Sequence, residues 1–359
     1  MRLLRLLLFP ASLIYPVVVL VRNWAFDNGM LKSRRFKIPI ISVGNITVGG
    51  TGKSPMTQYL VCLLKEKYKL AILSRGYGRR TKGYFEVRNA SLAEDVGDEP
   101  LQFKHKFPQV TVSVCEDRIE GIKQLNQHHE LILLDDAFQH RAVKPGWSIL
   151  LFDYTRLFET QWFLPTGDLR EPLSSKKRAN ILVVTKTPVD LDEQERKRIT
   201  DRVQPVSGQE IFFSYLKYAD LRSLDNAKEG LELKKITATT RVFLLTGIAN
   251  AAPLVSKLRQ YTPDITHHQY PDHHQFSKKN ISKLAAEFTD CASGDKIIVT
   301  TEKDAQRLAR VSIHEILKGL PVYYLPVKAA IHQPDESRFN DLIHRYVREH
   351  LLNNRIHKA

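Results

Sequence analysis

The chain has 359 residues, enough for two domains with separate cores, and its 43% hydrophobic and 26% charged composition is that of an ordinary globular protein. Its three cysteines, Cys62, Cys115 and Cys291, stand far apart, which excludes a CxxC metal site, suggests no disulfide framework and suits a reducing compartment. The formal charge of +15 is not ordinary and suits an anionic partner: nucleic acid, an acidic membrane surface or a phosphorylated substrate.

The first segment, residues 3–21, is almost wholly apolar, interrupted by Arg5, Pro10 and Pro16. Arg2, Arg22, Lys32, Arg34, Arg35 and Lys37 flank it. A spanning helix takes about 20 apolar residues, and this run is short and carries two helix-breaking prolines. No small-residue cleavage site precedes the basic flank, so residues 1–28 read as an uncleaved segment lying in or dipping into the membrane, its cations on anionic headgroups. The alternative is a helix packed on the protein's own core.

Next comes an apolar run, 38–43, then Gly44-Asn45-Ile46-Thr47-Val48-Gly49-Gly50-Thr51-Gly52-Lys53-Ser54-Pro55, then a helical pattern to Lys67. A strand, a glycine-rich turn and a helix start make a phosphate cradle, because glycines admit the anion to backbone amides and the helix terminus adds positive potential. Gly49, Gly50, Thr51 and Gly52 would wrap the phosphates, Lys53 would reach the β- and γ-phosphates, and the Ser54 hydroxyl would hold Mg²⁺. The loop is a variant: the strict pattern has glycine where this chain has Thr47.

Strand 70–74 leads into Ser74-Arg75-Gly76-Tyr77-Gly78-Arg79-Arg80, a basic loop that should border the phosphate cradle, since loops at strand carboxyl ends form the crevice of an α/β sheet. Gly97-Asp98-Glu99-Pro100 precedes a helix at 100–106, and Asp98 is either its cap or an acceptor of a hydroxyl proton. Strand 110–114 and helix 116–128 follow. Four aliphatics then lead into Asp135-Asp136-Ala137-Phe138-Gln139-His140, the pattern of a buried strand delivering carboxylates to Mg²⁺, with Gln139 able to orient a water or phosphate. Strands at 149–152 and 181–185 bracket a Pro/Gly turn holding Arg170, a candidate for stabilising transferred charge. Thr185-Lys186-Thr187-Pro188 and Thr301-Glu302-Lys303-Asp304 lack the spacing of a guanine-reading motif, so GTP specificity is unsupported.

The alternation predicts an α/β fold: a P-loop NTPase-type parallel sheet flanked by helices over 29–220, a polar linker at 221–240 and a second, smaller α/β domain over 241–330. Its elements are strands 242–245, 265–269, 296–300 and 322–325, with helices 251–260 and 278–288. A C-terminal helix lies within 331–359 and is placed against the first domain. Tyr270-Pro271-Asp272-His273-His274 follows a strand of the second domain and reads as a general-base dyad or a solvated loop; a transition-metal site would want more ligands than His267 and His268 add.

In this order the motifs resemble the tetraacyldisaccharide 4′-kinases, from the N-terminal apolar segment to about Asp304. Two departures are Ala137, where that family usually has glycine, and Ser54, where it often has threonine. The resemblance implies ATP and Mg²⁺ as cofactors, with Lys53, Arg170, Asp98 as base and His273 as its partner at the reacting centre. It implies Ser54, Asp135 and Asp136 at the metal, and Gly49, Gly50, Thr51, Gly52 and Gln139 at the nucleotide. Arg75, Tyr77, Arg79, Glu99 and Arg118 would meet the substrate, an acylated glucosamine disaccharide 1-phosphate phosphorylated on its 4′-hydroxyl to lipid IVA. The enzyme would sit on the cytoplasmic face of a bacterial inner membrane, against anionic lipid, with no nucleic-acid or protein partner. A rival class is a membrane-tethered P-loop switch ATPase; such proteins often carry lysine at the position of Val48, which this chain lacks. A nucleic-acid module would rest on charge alone.

Overall fold

The computed structural model describes residues 8–225, 229–308 and 311–356. Arg2 and Arg5 of the apolar segment and residues 226–228 of the predicted linker lie outside them.

The aliphatic runs become buried strands: β1 (Ile40–Asn45), β2 (Leu70–Ser74), β4 (Thr111–Val114), β5 (Leu131–Asp135), β6 (Trp147–Asp153) and β7 (Ile181–Thr185), with a short β3 (Phe85–Glu86) on the edge. β8 (Glu210–Tyr218) was not expected. The second sheet is built from β9 (Arg222–Ser223), β10 (Arg241–Thr246), β11 (Ile265–Gln269), β12 (Lys296–Thr301) and β13 (Val322–Leu325). β14 (Val327–Ile331) then returns to the first sheet as the antiparallel neighbour of β8.

Among the described residues the first sheet has the order β14-β8-β7-β6-β1-β5-β2-β4-β3, and the second β11-β10-β12-β13-β9. Apart from β3, β14 and β9 at the edges, the pairings are parallel. Parallel pairing puts every carboxyl end on one edge, so the loops after β1, β2 and β5 meet there. Registers Val43↔Asp135 and Gly44↔Leu150 set the glycine-rich loop between the ends of β5 and β6.

Helix α1 (Phe9–Asp27) runs unbroken through Pro16, contrary to the expectation that proline would interrupt it. Its buried positions are Ser12, Val19 and Asn23, whereas Leu13, Ile14, Val17, Val18, Leu20, Val21 and Trp24 face outward. The helix is therefore inverted: its mostly polar stripe docks on the first unit, which rules out burial of the apolar side in the protein's own core. By length and composition it could cross a membrane.

Helix α2 (Lys53–Leu64) starts at Gly52 and packs Met56, Leu60 and Leu64 beneath the sheet. α3 (Asp98–Lys106) begins two residues earlier than expected. α4 (Arg118–Leu125) is shorter than its 116–128 pattern because the Asp117 carboxylate accepts the amides of Ile119 and Glu120 and sets the start. α5 (Glu193–Val203) has only Ile199 and Val203 buried, too narrow a stripe to register as a period, and its charge masked the β8 run behind it. After α6 (Lys278–Asp290) comes α7 (Glu302–Leu308), unpredicted and at the mouth of β12. The last helix, α8 (Asp335–Ile356), packs Phe339, Ile343 and Val347 into the first core. The Tyr346 hydroxyl of α8 both accepts from the Ile40 amide and donates to its carbonyl, each at 3.1 Å.

Candidate active site

The turn between β1 and α2 uses positive backbone angles at Gly49 (φ 107°) and Gly52 (φ 83°), which a side chain would strain. Neighbouring loops hold it from outside. Asn45 Nδ2 donates to the Thr51 hydroxyl at 2.7 Å, Thr185 Oγ1 donates to the Thr51 carbonyl at 2.8 Å, and the Val48 amide donates to the Asp168 carbonyl at 2.7 Å. Thr185, quoted above for a different motif, thus braces the loop. The first-turn amides of α2 lack helical partners and make the terminus an anion site. Lys53 and Ser54 are the first two residues of α2, and Lys53 Nζ lies 3.7 Å from Asp136.

Asp135 ends β5, fully buried, accepting the hydroxyls of Thr57 (3.1 Å) and Ser74 (3.4 Å). Burial, with the charges of Glu99 and Asp136 added, pushes its carboxyl up to about 7. Asp136 turns out of the strand at φ 47°, and Arg170 Nη1 sits 3.3 Å from both its oxygens. Burial opposes its ionisation, but Lys53 and Arg170 outweigh it and hold Asp136 below its ordinary value. Gln139 Nε2 donates to the Asn45 carbonyl at 2.7 Å, so this side chain braces the start of the loop.

The described residues hold no cluster of three or more His, Cys, Asp or Glu suited to a metal ion. Mg²⁺ needs none, since it binds through one or two carboxylates, a hydroxyl and the substrate's phosphates. A glycine cradle with a lysine, beside an all-oxygen donor set of Ser54, Asp135 and Asp136, fits a nucleotide polyphosphate and its cation.

Facing this end of the sheet, the second unit contributes a charged cluster. Asp98 is the first residue of α3 with Gly97 at the cap position, and its side chain makes no cap bond, which removes the capping alternative. Its Oδ2 instead receives Arg307 Nη2 (2.5 Å), Arg307 Nε (2.8 Å) and His273 Nδ1 (3.1 Å). Burial alone would raise this carboxyl; the bonds from His273 and Arg307 hold it at about 2. Lys303 Nζ reaches Glu99 Oε1 (3.1 Å) and His273 Nε2 (3.0 Å). Burial again opposes ionisation of Glu99, and Lys303 followed by Lys53 outweighs it, so Glu99 is held low between the two lysines. His273 adopts φ 58°, and its ring centroid lies 5.7 Å from that of Tyr77.

Two residues expected to meet the substrate are turned to other work. Arg79 folds back onto Glu116 and the Gly83 carbonyl and braces its own loop. Arg118 is buried beneath β5, with Nη1 on the Cys115 carbonyl (2.9 Å) and Nη2 on the Asp135 carbonyl (3.5 Å). Arg75 and Tyr77 are exposed on the loop that also carries Arg79, and the Tyr77 ring lies toward His273. Arg307 was missed; its signal was its place three residues after Asp304 on one helix face.

Helix α1 adjoins this site. The Tyr15 hydroxyl donates to the Arg170 carbonyl (3.1 Å), Arg22 to the Gln139 carbonyl (2.8 Å) and Asn23 Nδ2 to Glu171 (3.3 Å).

A P-loop at the carboxyl edge of a parallel sheet, beside a carboxylate pair and closed by a second α/β unit, defines a nucleotide-dependent phosphotransferase. Comparison narrows the class. The family model described as tetraacyldisaccharide-1-P 4′-kinase matches residues 4–348, and the chain belongs to that family. It is 44% identical to the tetraacyldisaccharide 4′-kinase of Bacteroides thetaiotaomicron, over 96% of this chain and 94% of the relative. Against the enzyme of the same name from Phocaeicola vulgatus the identity is 42%, over 96% of each. The crystal structure of LpxK from Aquifex aeolicus in complex with ATP superposes with a TM-score of 0.73 at 30% identity, over 96% of this chain and 99% of that one. The chain is thus an ATP-dependent kinase with an alcohol acceptor, on the route to lipid A.

Proposed function

We propose that the protein works at the cytoplasmic face of a bacterial inner membrane, phosphorylating the 4′-hydroxyl of a tetraacylated disaccharide 1-phosphate with Asp98 as the group that meets the hydroxyl. The observation that carries this reading is the Asp98–His273 contact across the two units, on the same sheet edge as the P-loop and the Asp135–Asp136 pair. All three bonds to Asp98 fall on Oδ2, leaving Oδ1 for the acceptor. Held at about 2, Asp98 is ionised at every physiological pH and is a weak base. It therefore orients the hydroxyl first and takes its proton late, as a loose phosphoryl-transfer transition state allows. His273 Nδ1 fixes the carboxylate and shares the developing charge.

The cradle of Gly49, Gly50, Thr51 and Gly52 with Lys53 would hold ATP, and Ser54, Asp135 and Asp136 would hold Mg²⁺. Bound there, ATP supplies the transferred group and Mg²⁺ neutralises charge on its phosphates. Arg170, within reach of Asp136, would balance charge on the transferred group. Arg75, Tyr77 and Glu99 line the acceptor side. The expected division at 220 and 241–330 needs its edges moved, since β9 joins the second sheet while β14 and α8 return to the first; on this reading, closing the second unit on the first brings His273 to Asp98 and excludes water.

The outward row on α1, from Leu13 to Trp24, suits burial in the acyl boundary of a bilayer, while its polar stripe stays on the loop of Arg170. An acylated substrate then keeps its chains in the lipid while its sugar head enters the crevice. Transfer of labelled γ-phosphate from ATP to tetraacyldisaccharide 1-phosphate in detergent tests the reading, wild type against Asp98→Asn. Labelled lipid with the wild type and little with the variant is expected; ATP consumption without labelled lipid would overturn it.

A further inference from the structure

Arg307 lies on α7 of the second unit with its side chain wholly enclosed. Beyond its two bonds to Asp98 Oδ2, its Nη1 donates to Asp304 Oδ1 (2.7 Å) and to the Gly247 carbonyl (2.9 Å). That carbonyl also accepts the amide of His273 at 3.1 Å. The Gly247 amide donates back to Asp304 Oδ2 (3.0 Å), which takes the Thr301 hydroxyl as well (2.7 Å). The bonds close a ring: one guanidinium holds Asp98 by its carboxylate and, through the Gly247 carbonyl at the end of β10, the backbone amide of His273. A planar fork of five donors can do this rigidly; the single ammonium of a lysine cannot.

Burying a guanidinium is costly, and apolar packing would stabilise an interface at least as well. Arg307 does something an apolar residue could not: it fixes which oxygen of Asp98 is used up. Gly247 is the tight point, since a Cβ there would stand 3.1 Å from Asp304 Oδ1 and 3.3 Å from Arg307 Nη1.

We propose that Arg307 is a positioning residue for phosphoryl transfer, locking Oδ2 of Asp98 and the Gly247 carbonyl that receives the His273 amide, so that closure sets both members of the pair at once and leaves Oδ1 to the acceptor hydroxyl. This rests on Asp98 acting at that hydroxyl.

The test compares kcat for lipid phosphorylation with the Kd for a fluorescent ATP analogue in Arg307→Gln, Arg307→Lys, Gly247→Ala and Asp98→Asn. Misplacing a reacting group by about 1 Å costs on the order of 10²-fold, so Arg307→Gln should lower kcat by about that factor with nucleotide Kd held within about twofold. Arg307→Lys should keep the charge but recover only part of the rate. Gly247→Ala, which leaves every charge in place, should lower kcat several-fold at unchanged nucleotide Kd. Wild-type kcat in Arg307→Gln overturns the proposal. So does a joint loss of kcat, nucleotide binding and melting temperature in both Arg307→Gln and Gly247→Ala, the pattern of a merely structural residue. Should Arg307→Gln fail to fold, Gly247→Ala decides by the same split. Wild-type turnover in Asp98→Asn would instead remove the reading on which the proposal stands.

Discussion

The two halves of the active site are built by opposite means. The phosphate cradle is twelve consecutive residues, 44–55, shaped by glycine backbone angles and braced by carbonyls and amides of adjoining loops. The proposed acceptor side is a cluster of Asp98, Gly247, His273, Lys303, Asp304 and Arg307, drawn from both units and joined almost wholly by charged side chains. A backbone cradle can wait, formed, for its nucleotide. On the proposed reading, a side-chain cluster spanning two units forms only when the units close, and so would couple the chemistry to closure.

Breaking the cradle should give the largest effect. Lys53→Ala removes the cradle's own cation, 3.7 Å from Asp136, and phosphate transfer should fall by at least about 10³-fold with the fold intact, read by labelled-phosphate assay and circular dichroism. Near-normal transfer would sink the cradle assignment. On the acceptor side, His273→Ala should lower kcat by roughly 10- to 10²-fold and leave nucleotide affinity alone, because Arg307 still holds Asp98. A parallel loss of nucleotide binding would mean that the two halves are not separable.

Acid should separate them too. The folded-state carboxyl of Asp98 is depressed to about 2, so its contribution to closure is complete above its ordinary value near 3.8. As pH falls from there through about 2, that contribution is lost. Hydrogen exchange should show α7 losing protection over that window while α2 stays protected; loss of both together would contradict separate construction. The smallest effect is expected from Lys106→Met. Lys106 at the end of α3 bridges Gln58 of α2 (2.7 Å) and Glu302 of α7 (2.9 Å), away from the transferred group. A change in kcat of no more than a few-fold, with faster exchange of α7, would show it to be a hinge contact.

Legibility in the sequence follows the same division. The cradle could be read because glycine, lysine and serine at fixed offsets act through local backbone geometry, and the β5 aliphatics announced Asp135 and Asp136 the same way. Asp98 could not be settled locally: at a helix start its carboxylate has two uses, and only the arrival of Arg307 from 209 residues away removes one of them. Arg79 and Arg118 looked alike as basic residues near a crevice, yet Glu116 turns one back and the floor of β5 covers the other. The N-terminal segment showed its apolarity plainly. What it did not show was which side packs, because Ser12, Tyr15 and Asn23 are too few to read as a docking stripe until their partners Thr166, Arg170 and Glu171 are in place.

By itself, then, the sequence determined the strand–loop–helix units, the glycine-rich phosphate loop and the apolarity of the N-terminal helix, because each depends on neighbours within a few residues. The tertiary structure alone decided the hold of Arg307 on Asp98, the enclosure of Arg118 and the outward turn of α1. Those depend on desolvation and on charge partners far along the chain, which local pattern does not encode.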